Sequence, residues 1–317
     1  MKGLGKNMKR IVILSFILFL AACGTDEETG SESANDADKI NIVTTIAQIG
    51  EPLSVIGGDR VEVNSLMGPS VDPHLYQATQ GDISTIDEAD LIFYNGLDLE
   101  ANMVDIFNEI SESKPVLALG ETISPDALLE DEEGAIDPHI WFDFHLWEEA
   151  LFKAVEELKA YAPDDAEYFE ENWNDYLSEL EEVKQHAEKL ADIPAELRVL
   201  VTAHDAFGYF GNLHDIEVIG LQGLSTEGEV GISDINETIE IIKENQVPAI
   251  FVETSINDST IQAVLEGAQD EDAEVELGGE LYSDAMGEAG TEEGTYIGMY
   301  KHNVDIIYEA LTGEEAD

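Results

Sequence analysis

The chain is poor in positive charge and nearly devoid of cysteine. It carries 14 Lys and Arg against 70 Asp and Glu, a formal net charge of −56 at neutral pH. Four of the cations, Lys2, Lys6, Lys9 and Arg10, fall in the first ten positions, where no acid occurs. From Cys23 onward the balance is therefore 10 basic residues against 70 acidic ones, or −60. Such a chain cannot neutralise a phosphate backbone, which excludes nucleic acid as a partner. The single Cys excludes an internal disulfide and any multi-cysteine zinc or iron–sulfur site. No apolar run reaches the roughly 18–20 residues needed to span a bilayer. What remains is enough to fold. A hydrophobic content of 44%, with 11 Phe, 10 Tyr and 3 Trp, fills real cores despite the charge, and 317 residues correspond to about two domains.

The N-terminus departs from the acidic rule. Basic residues in 1–10 precede an apolar stretch, 11–22, whose only polar member is Ser15. That is the layout of a secretory signal peptide. The stretch ends Leu20-Ala21-Ala22-Cys23-Gly24, which resembles the lipobox of bacterial lipoproteins and implies a lipid on Cys23. The segment that follows, up to residue 38, is acidic and rich in Ser, Gly and Asn, and reads as a flexible tether. The expected location is the extracellular face of the cytoplasmic membrane, with a lipid anchor holding the chain there. A charge near −60 repels itself in dilute buffer, but the Debye length falls to about 3 Å at 1 M salt. The composition therefore points to halophilic adaptation, in an exterior of high salt, high pH or both.

Past the tether, short β-rich runs alternate with amphipathic stretches. Strands are expected at 39–45, 60–67, 91–94 and 115–119, and again at 198–202, 216–219, 249–252 and 274–277. Helices are expected up to Gly57-Gly58, over 233–244 and over 295–311. Alternation of this kind predicts an α/β fold with mainly parallel sheets covered by helices. Between the two halves, Phe169, Trp173, Tyr176, Leu180, Val183, Ala187 and Leu190 step by four and three, one face of a long helix. Asp164 and Asp165 stand where caps belong, and Pro194 follows the end. From Asp164 to Ala191 such a helix spans about 40 Å, the width of a lobe. The seam suits a rigid strut between lobes better than a coiled-coil dimer. The expected organisation is a signal peptide at 1–22, a lipidated Cys and tether at 23–38, an N-terminal lobe at 39–162, a linking helix at 163–193 and a C-terminal lobe at 194–317.

Seven histidines are few enough to place singly. Asp72-Pro73-His74-Leu75-Tyr76 and Asp137-Pro138-His139-Ile140-Trp141 repeat one tripeptide in the first half. Pro fixes its own φ and biases its predecessor toward extended geometry, so each imidazole is presented from a stiff turn. His204 follows a predicted strand of the second half, and loops beyond the C-terminal strand ends of open α/β sheets face the ligand crevice. Neutral imidazole is the commonest metal ligand, and a carboxylate on its other nitrogen orients it. Together these place a candidate metal site at an inter-lobe cleft. His145, His186, His214 and His302 lack such settings and read as surface or structural.

With these motifs in view, the chain resembles the TroA-like (cluster A-I) solute-binding proteins, the metal-binding lipoproteins of bacterial ABC importers. The resemblance runs from the lipobox to the C-terminus. It is strongest over the two Asp-Pro-His motifs, residues 201–210 and 278–287, with 294–299 and His302-Asn303 similar to the family's last helix. It implies two α/β lobes joined by one long rigid helix, with a divalent transition metal held between them. Carried over by motif, the ligands are His74 and His139 from the first lobe and His204 and Asp284 from the second. Asp284 also stands in a Gly-rich loop where a carboxylate can cap the next turn, and Glu280 is then the substitute ligand. Trp141, Phe142, Phe207, Tyr209 and Phe210 are expected to form an apolar shell. The partner implied is an ABC-transporter membrane permease, served by a monomer.

Three imidazoles and one carboxylate suit tetrahedral Zn²⁺, and a bidentate Asp opens the higher coordination of Mn²⁺. The family's zinc branch often carries a His-rich loop near the second Asp-Pro-His, whereas residues 126–137 here contain no His and are acidic. The resemblance thus leans to one Mn²⁺ per chain with Zn²⁺ bound as well. Two other functional classes fit less well. A secreted zinc metallohydrolase needs an open coordination position and a general base, as in His-Glu-x-x-His, which the sequence lacks. A surface adhesin-type lipoprotein would not need converging histidines. The expectation is a binding protein and not an enzyme.

Overall fold

The computed structural model describes residues 39–316; the expected signal peptide, Cys23 and the tether lie outside the described residues. Two four-stranded sheets organise the chain. The first contains β1 (Ile40–Thr44), β2 (Val61–Ser65), β3 (Leu91–Tyr94) and β4 (Val116–Ala118), in the order β2-β1-β3-β4. The second contains β5 (Val199–His204), β6 (Glu217–Gln222), β7 (Ala249–Glu253) and β8 (Glu276–Leu281), in the order β6-β5-β7-β8. Every pairing within the two sheets is parallel. In both sheets the first strand lies second, so the strand order reverses beside it and a crevice opens at its C-terminal end. β5, buried along its whole length, ends there with His204.

Helices supply the crossovers: α1 (Ala47–Gly57), α2 (Gln80–Glu88) and α3 (Val104–Ser111) in the first lobe. The second lobe has α6 (Gly208–His214), α7 (Ile232–Asn245) and α8 (Ser259–Asp270). α4 (Phe144–Tyr161) and α5 (Ala166–Ala187) lie between the sheets in sequence, and α9 (Tyr296–Thr312) returns along β8, α5 and α1. No helix among the described residues is long and apolar enough to cross a membrane.

The strut is present, with altered ends. Helical backbone runs from Pro163 to Asp192, with 3₁₀ turns flanking α5, which alone spans about 33 Å. The predicted cap is absent: Asp165 makes no side-chain bond to the helix and pairs instead with Arg60 at 3.0 Å. All seven seam residues are buried, against α1, α4 and α9 of the same chain. Each buried large side chain is worth roughly 1.5–3 kcal/mol, so the strut is held by its seam more than by its caps. The C-terminal edge of the second sheet also differs from expectation. β8 runs through Gly278 and Gly279 where a strand ending at 277 was predicted. The glycines there admit neighbours: a Cβ on Gly278 would stand 2.6 Å from the Phe251 ring, and one on Gly279 2.9 Å from Ile306.

One apolar core joins the first sheet to α1, α4, α5 and α9 and continues into Phe207 and Phe210 of the second lobe. A smaller, separate core, including Val201, Ile239, Ile250 and Val264, fills the outer part of the second lobe.

Candidate metal centre

Each Asp-Pro-His forms a turn closed by its own aspartate. Asp72 Oδ1 accepts from His74 N, and Asp137 Oδ1 accepts from His139 N, both at 2.9 Å. One loop braces the two turns from behind. Asn95 Nδ2 donates to Pro138 O at 2.9 Å, and Asn102 Nδ2 donates to His74 O at 3.0 Å. The loop itself is built around the buried carboxylate of Glu100, which accepts from Thr45 Oγ1, Asn95 N and Gly96 N at 2.5, 2.9 and 3.0 Å. Gly96, Leu97 and Asp98 all have positive φ, a conformation that needs such bracing in non-glycine residues. Tyr76 adds a tie to the N-terminus of α2, its hydroxyl donating to Asp82 at 2.8 Å.

The second lobe uses strand ends. His204 N donates to Glu253 Oε1 at 2.9 Å, and its Nδ1 lies 2.6 Å from Glu253 Oε2, at the end of β7. Asp284 follows β8, and Gln48 of α1 crosses from the first lobe to donate to the adjacent Ser283 carbonyl at 3.1 Å.

These elements bring His74, His139, His204 and Asp284 together, with one ligand atom from each lying within 4.8 Å of all the others. Asp284 Oδ2 is 3.5 Å from His74 Nε2 and 3.3 Å from His204 Nε2, and Oδ1 is 3.3 Å from His139 Nε2. A tetrahedral set with bonds near 2.1 Å has ligand atoms about 3.4 Å apart, close to these separations. The three Nε2 atoms and both Asp284 oxygens are buried without a hydrogen-bond partner. Five orphaned polar atoms converging in a buried site are costly unless a cation satisfies them.

The charges around the three imidazoles differ. Burial lowers the His74 pKa to about 4, the neighbouring imidazoles assisting and Asp284 only partly opposing. For His139 burial also acts downward, but Asp137, whose Oδ1 is 2.7 Å from Nδ1, and Asp284 outweigh it and raise the pKa to about 9. His204 is likewise raised, Glu253 and Asp284 overcoming burial. Burial pushes the Asp284 carboxyl up, but His204 and His139 win and hold it well below the usual carboxylate range. The site is thus an anionic carboxylate ringed by imidazoles whose outer nitrogens are fixed in two cases of three, the arrangement that fixes a tautomer for metal binding.

Other expectations divide. Glu280 is exposed on β8 and stands outside the cluster; its carbonyl accepts from His302 Nε2 at 3.0 Å. His145 is exposed, His186 pairs with Asp305 at 2.7 Å, and His214 packs on Phe210 with Nε2 3.0 Å from the Tyr300 hydroxyl. The five aromatics are all buried, but only the Trp141 ring meets a ligand, edge-on to His139 at 5.3 Å. Phe142, Phe207 and Phe210 pack on one another and on Tyr300, and Tyr209 donates its hydroxyl to Asp137 O at 3.0 Å. Sequence reading missed Glu253, Glu100, Asn95, Asn102 and Gln48. Glu253 offered one signal, an acid closing an otherwise apolar strand. Glu100 is one acid among 70 and offered none.

The chain is similar to known metal-binding proteins over most of its length. The ZnuA family profile, "Zinc-uptake complex component A periplasmic", matches residues 42–310. The manganese-binding lipoprotein MntA of Bacillus subtilis is 43% identical over 305 residues, covering 94% of this chain and 98% of MntA. The zinc-binding protein TroA of Treponema pallidum is 44% identical over 283 residues, covering 89% and 92%. The solved structure of periplasmic TroA superposes with a TM-score of 0.84, covering 86% of this chain and 99% of TroA.

Proposed function

The chain belongs to the ZnuA family, and from that premise we propose that it captures Mn²⁺ and/or Zn²⁺ outside the cytoplasmic membrane and delivers it to an ABC permease. It is a solute-binding component and not an enzyme. One observation carries the reading: three imidazole nitrogens and a carboxylate, two ligands from each lobe, converge in a buried cleft with no other hydrogen-bond partner. His74, His139, His204 and Asp284 are the proposed ligands. The metal is cargo, so the site must close around it and later reopen. Two ligands on each lobe suit that cycle, because parting residues 39–162 from 194–317 halves the ligand set at once. Neither a metallohydrolase nor an adhesin is supported: four protein ligands leave no place for a reacting water, and the family is one of uptake components.

MntA is named for manganese and TroA for zinc, and the ligand chemistry here accommodates either. The N-terminal segment adds a cleaved signal peptide at 1–22 and lipidation at Cys23, which would hold the protein, as a monomer, to the outer face of the membrane. The acidic surface adds adaptation to salt. Metal analysis of protein purified without added metal tests the central reading, with one Mn²⁺ or Zn²⁺ per chain expected. A preparation that binds neither ion on titration would overturn it.

A further inference from the structure

Apart from the four proposed ligands, a run of contacts joins the two lobes through the segment between β6 and α7. It starts at Gln222, the last residue of β6 and the strand neighbour of His204. Gln222 O accepts from Asp205 N at 3.0 Å, which fixes the strand end beside the ligand. The Gln222 side chain then folds over its own loop, Nε2 donating to Thr226 O at 3.3 Å and Gly228 O at 2.7 Å. This presents the Thr226 hydroxyl to the opposite lobe, where it donates to Asp72 Oδ2 at 2.6 Å. The other oxygen of Asp72 is the one that holds His74 N. Within the loop, Leu224 and Thr226 are buried while Gly223, Ser225, Glu227 and Gly228 are exposed, the pattern of a segment laid over a surface with alternate residues inward.

We propose that Thr226 is a positioning residue, the catch of a latch that closes over the metal and sets how fast it leaves. The inference rests on the functional reading above. The hydroxyl–carboxylate bond spans two lobes, so it exists only while they are together. Losing it therefore acts on escape of the metal and leaves encounter with the open protein unchanged. A hydrogen bond to a charged acceptor is strong enough to shift a closed–open equilibrium by about tenfold to a hundredfold. Thr226 contributes no ligand atom, so the coordination of the bound metal is independent of it.

The test uses the metal-loaded chain and follows release into excess chelator by stopped flow. Thr226→Val, which keeps the shape and removes the hydroxyl, should release Mn²⁺ or Zn²⁺ at least ~10-fold faster. Its association rate and the visible spectrum of its Co²⁺ form should match wild type. Thr226→Ser should restore slow release, and Gln222→Leu, which frees the loop without touching Asp72, should accelerate it as Thr226→Val does. Release from Thr226→Val at the wild-type rate, a Thr226→Ser protein as fast as Thr226→Val, or an altered Co²⁺ spectrum would each overturn the latch while leaving the functional reading intact. A wild-type protein that binds none of these ions overturns the functional reading and the latch with it.

Discussion

The two Asp-Pro-His turns have the same tripeptide and the same backbone bond, yet their histidines are opposite in character. Asp137 Oδ1 serves both the backbone N and the ring Nδ1 of His139, at 2.9 and 2.7 Å. Asp72 serves only the backbone of His74 and gives its second oxygen to Thr226 of the other lobe. Against burial, Asp137 and Asp284 raise His139 to about 9, whereas burial lowers His74, which has no carboxylate on its outer nitrogen, to about 4. The second turn is covered as the first is not: Tyr209 binds Asp137 O, and a Cβ on Gly208 would stand 2.7 Å from Asp137 Oδ2. A motif sets which atoms are available, and packing decides what the carboxylate does with them. The first turn is tied to the loop after β6 through Thr226, whereas the residues after the second, Ile140, Trp141 and Phe142, lie in the shared core.

The largest effects should come from the ligands themselves. His139→Ala and Asp284→Ala should each weaken metal binding by about 100-fold or more, because each leaves a buried charge uncompensated as well as removing a ligand. His74→Ala should cost about tenfold, since no carboxylate is stranded on its ring. Competition titration against a chelator of known affinity reads all three. Equal losses for the two histidines would break the distinction between the turns.

Next come the carboxylates behind them. Asp137→Asn should weaken affinity by roughly 10–100-fold, the usual cost of removing a metal-binding histidine's outer partner. Asp72→Asn keeps an acceptor for His74 N and a neutral bond to Thr226, and should cost about fivefold at most. The order of these two variants on the same titration sharpens the comparison, and a reversed order would place the critical brace in the wrong turn.

Protons give a third contrast. His139, with a folded pKa above the unfolded value of about 6.5, contributes stability to the metal-free protein that is fully present below pH 6.5 and lost as pH rises through 9. His74, with its pKa lowered, contributes in the opposite sense: protonation favours unfolding as pH falls from 6.5 toward 4. Metal requires neutral rings, so binding near pH 7.5 should release about two protons, from His139 and His204, and none from His74. Calorimetry in buffers of different ionisation enthalpy measures the number. It should fall by about one in Asp137→Asn, and an unchanged count would detach the shift from Asp137.

The smallest effect marks the edge of the comparison. His186 meets a half-exposed Asp305 on α9, far from either turn's chemistry. His186→Ala should bind metal with wild-type affinity and lose no more than about 1 kcal/mol of stability in a chemical melt.

The fold was legible where burial repeats with a fixed period. The seam from Phe169 to Leu190 appears in the sequence as alternating steps of four and three, and it is buried in the structure residue for residue. Most strand positions followed in the same way, from short apolar or alternating runs. α4 was not anticipated, although it packs along α5 and carries Trp147 and Leu151 into the core. The strand at Glu276–Leu281 was misplaced because paired glycines look like a turn until the Phe251 ring and Ile306 are seen to occupy the space. The capping role given to Asp165 failed for a related reason: a nearby guanidinium, invisible in the local sequence, took the carboxylate.

By itself the sequence determined the alternation that makes parallel α/β lobes, the strut between them, and the four residues that the structure gathers in the cleft. Those properties depend on local periodicity, on stiff Asp-Pro-His turns, and on a resemblance carried by contiguous motifs. Only the tertiary structure decided which carboxylates stand behind the imidazoles and which residues tie the lobes together. Glu253 lies 49 residues from His204, Thr226 lies 154 from Asp72, and Gln48 lies 235 from Ser283. In a chain with 70 acids, no local pattern singles out the ones that matter. A carboxylate acquires its role from what burial and distance leave it to face, and both exist only once parallel strands have brought remote segments to the same crevice.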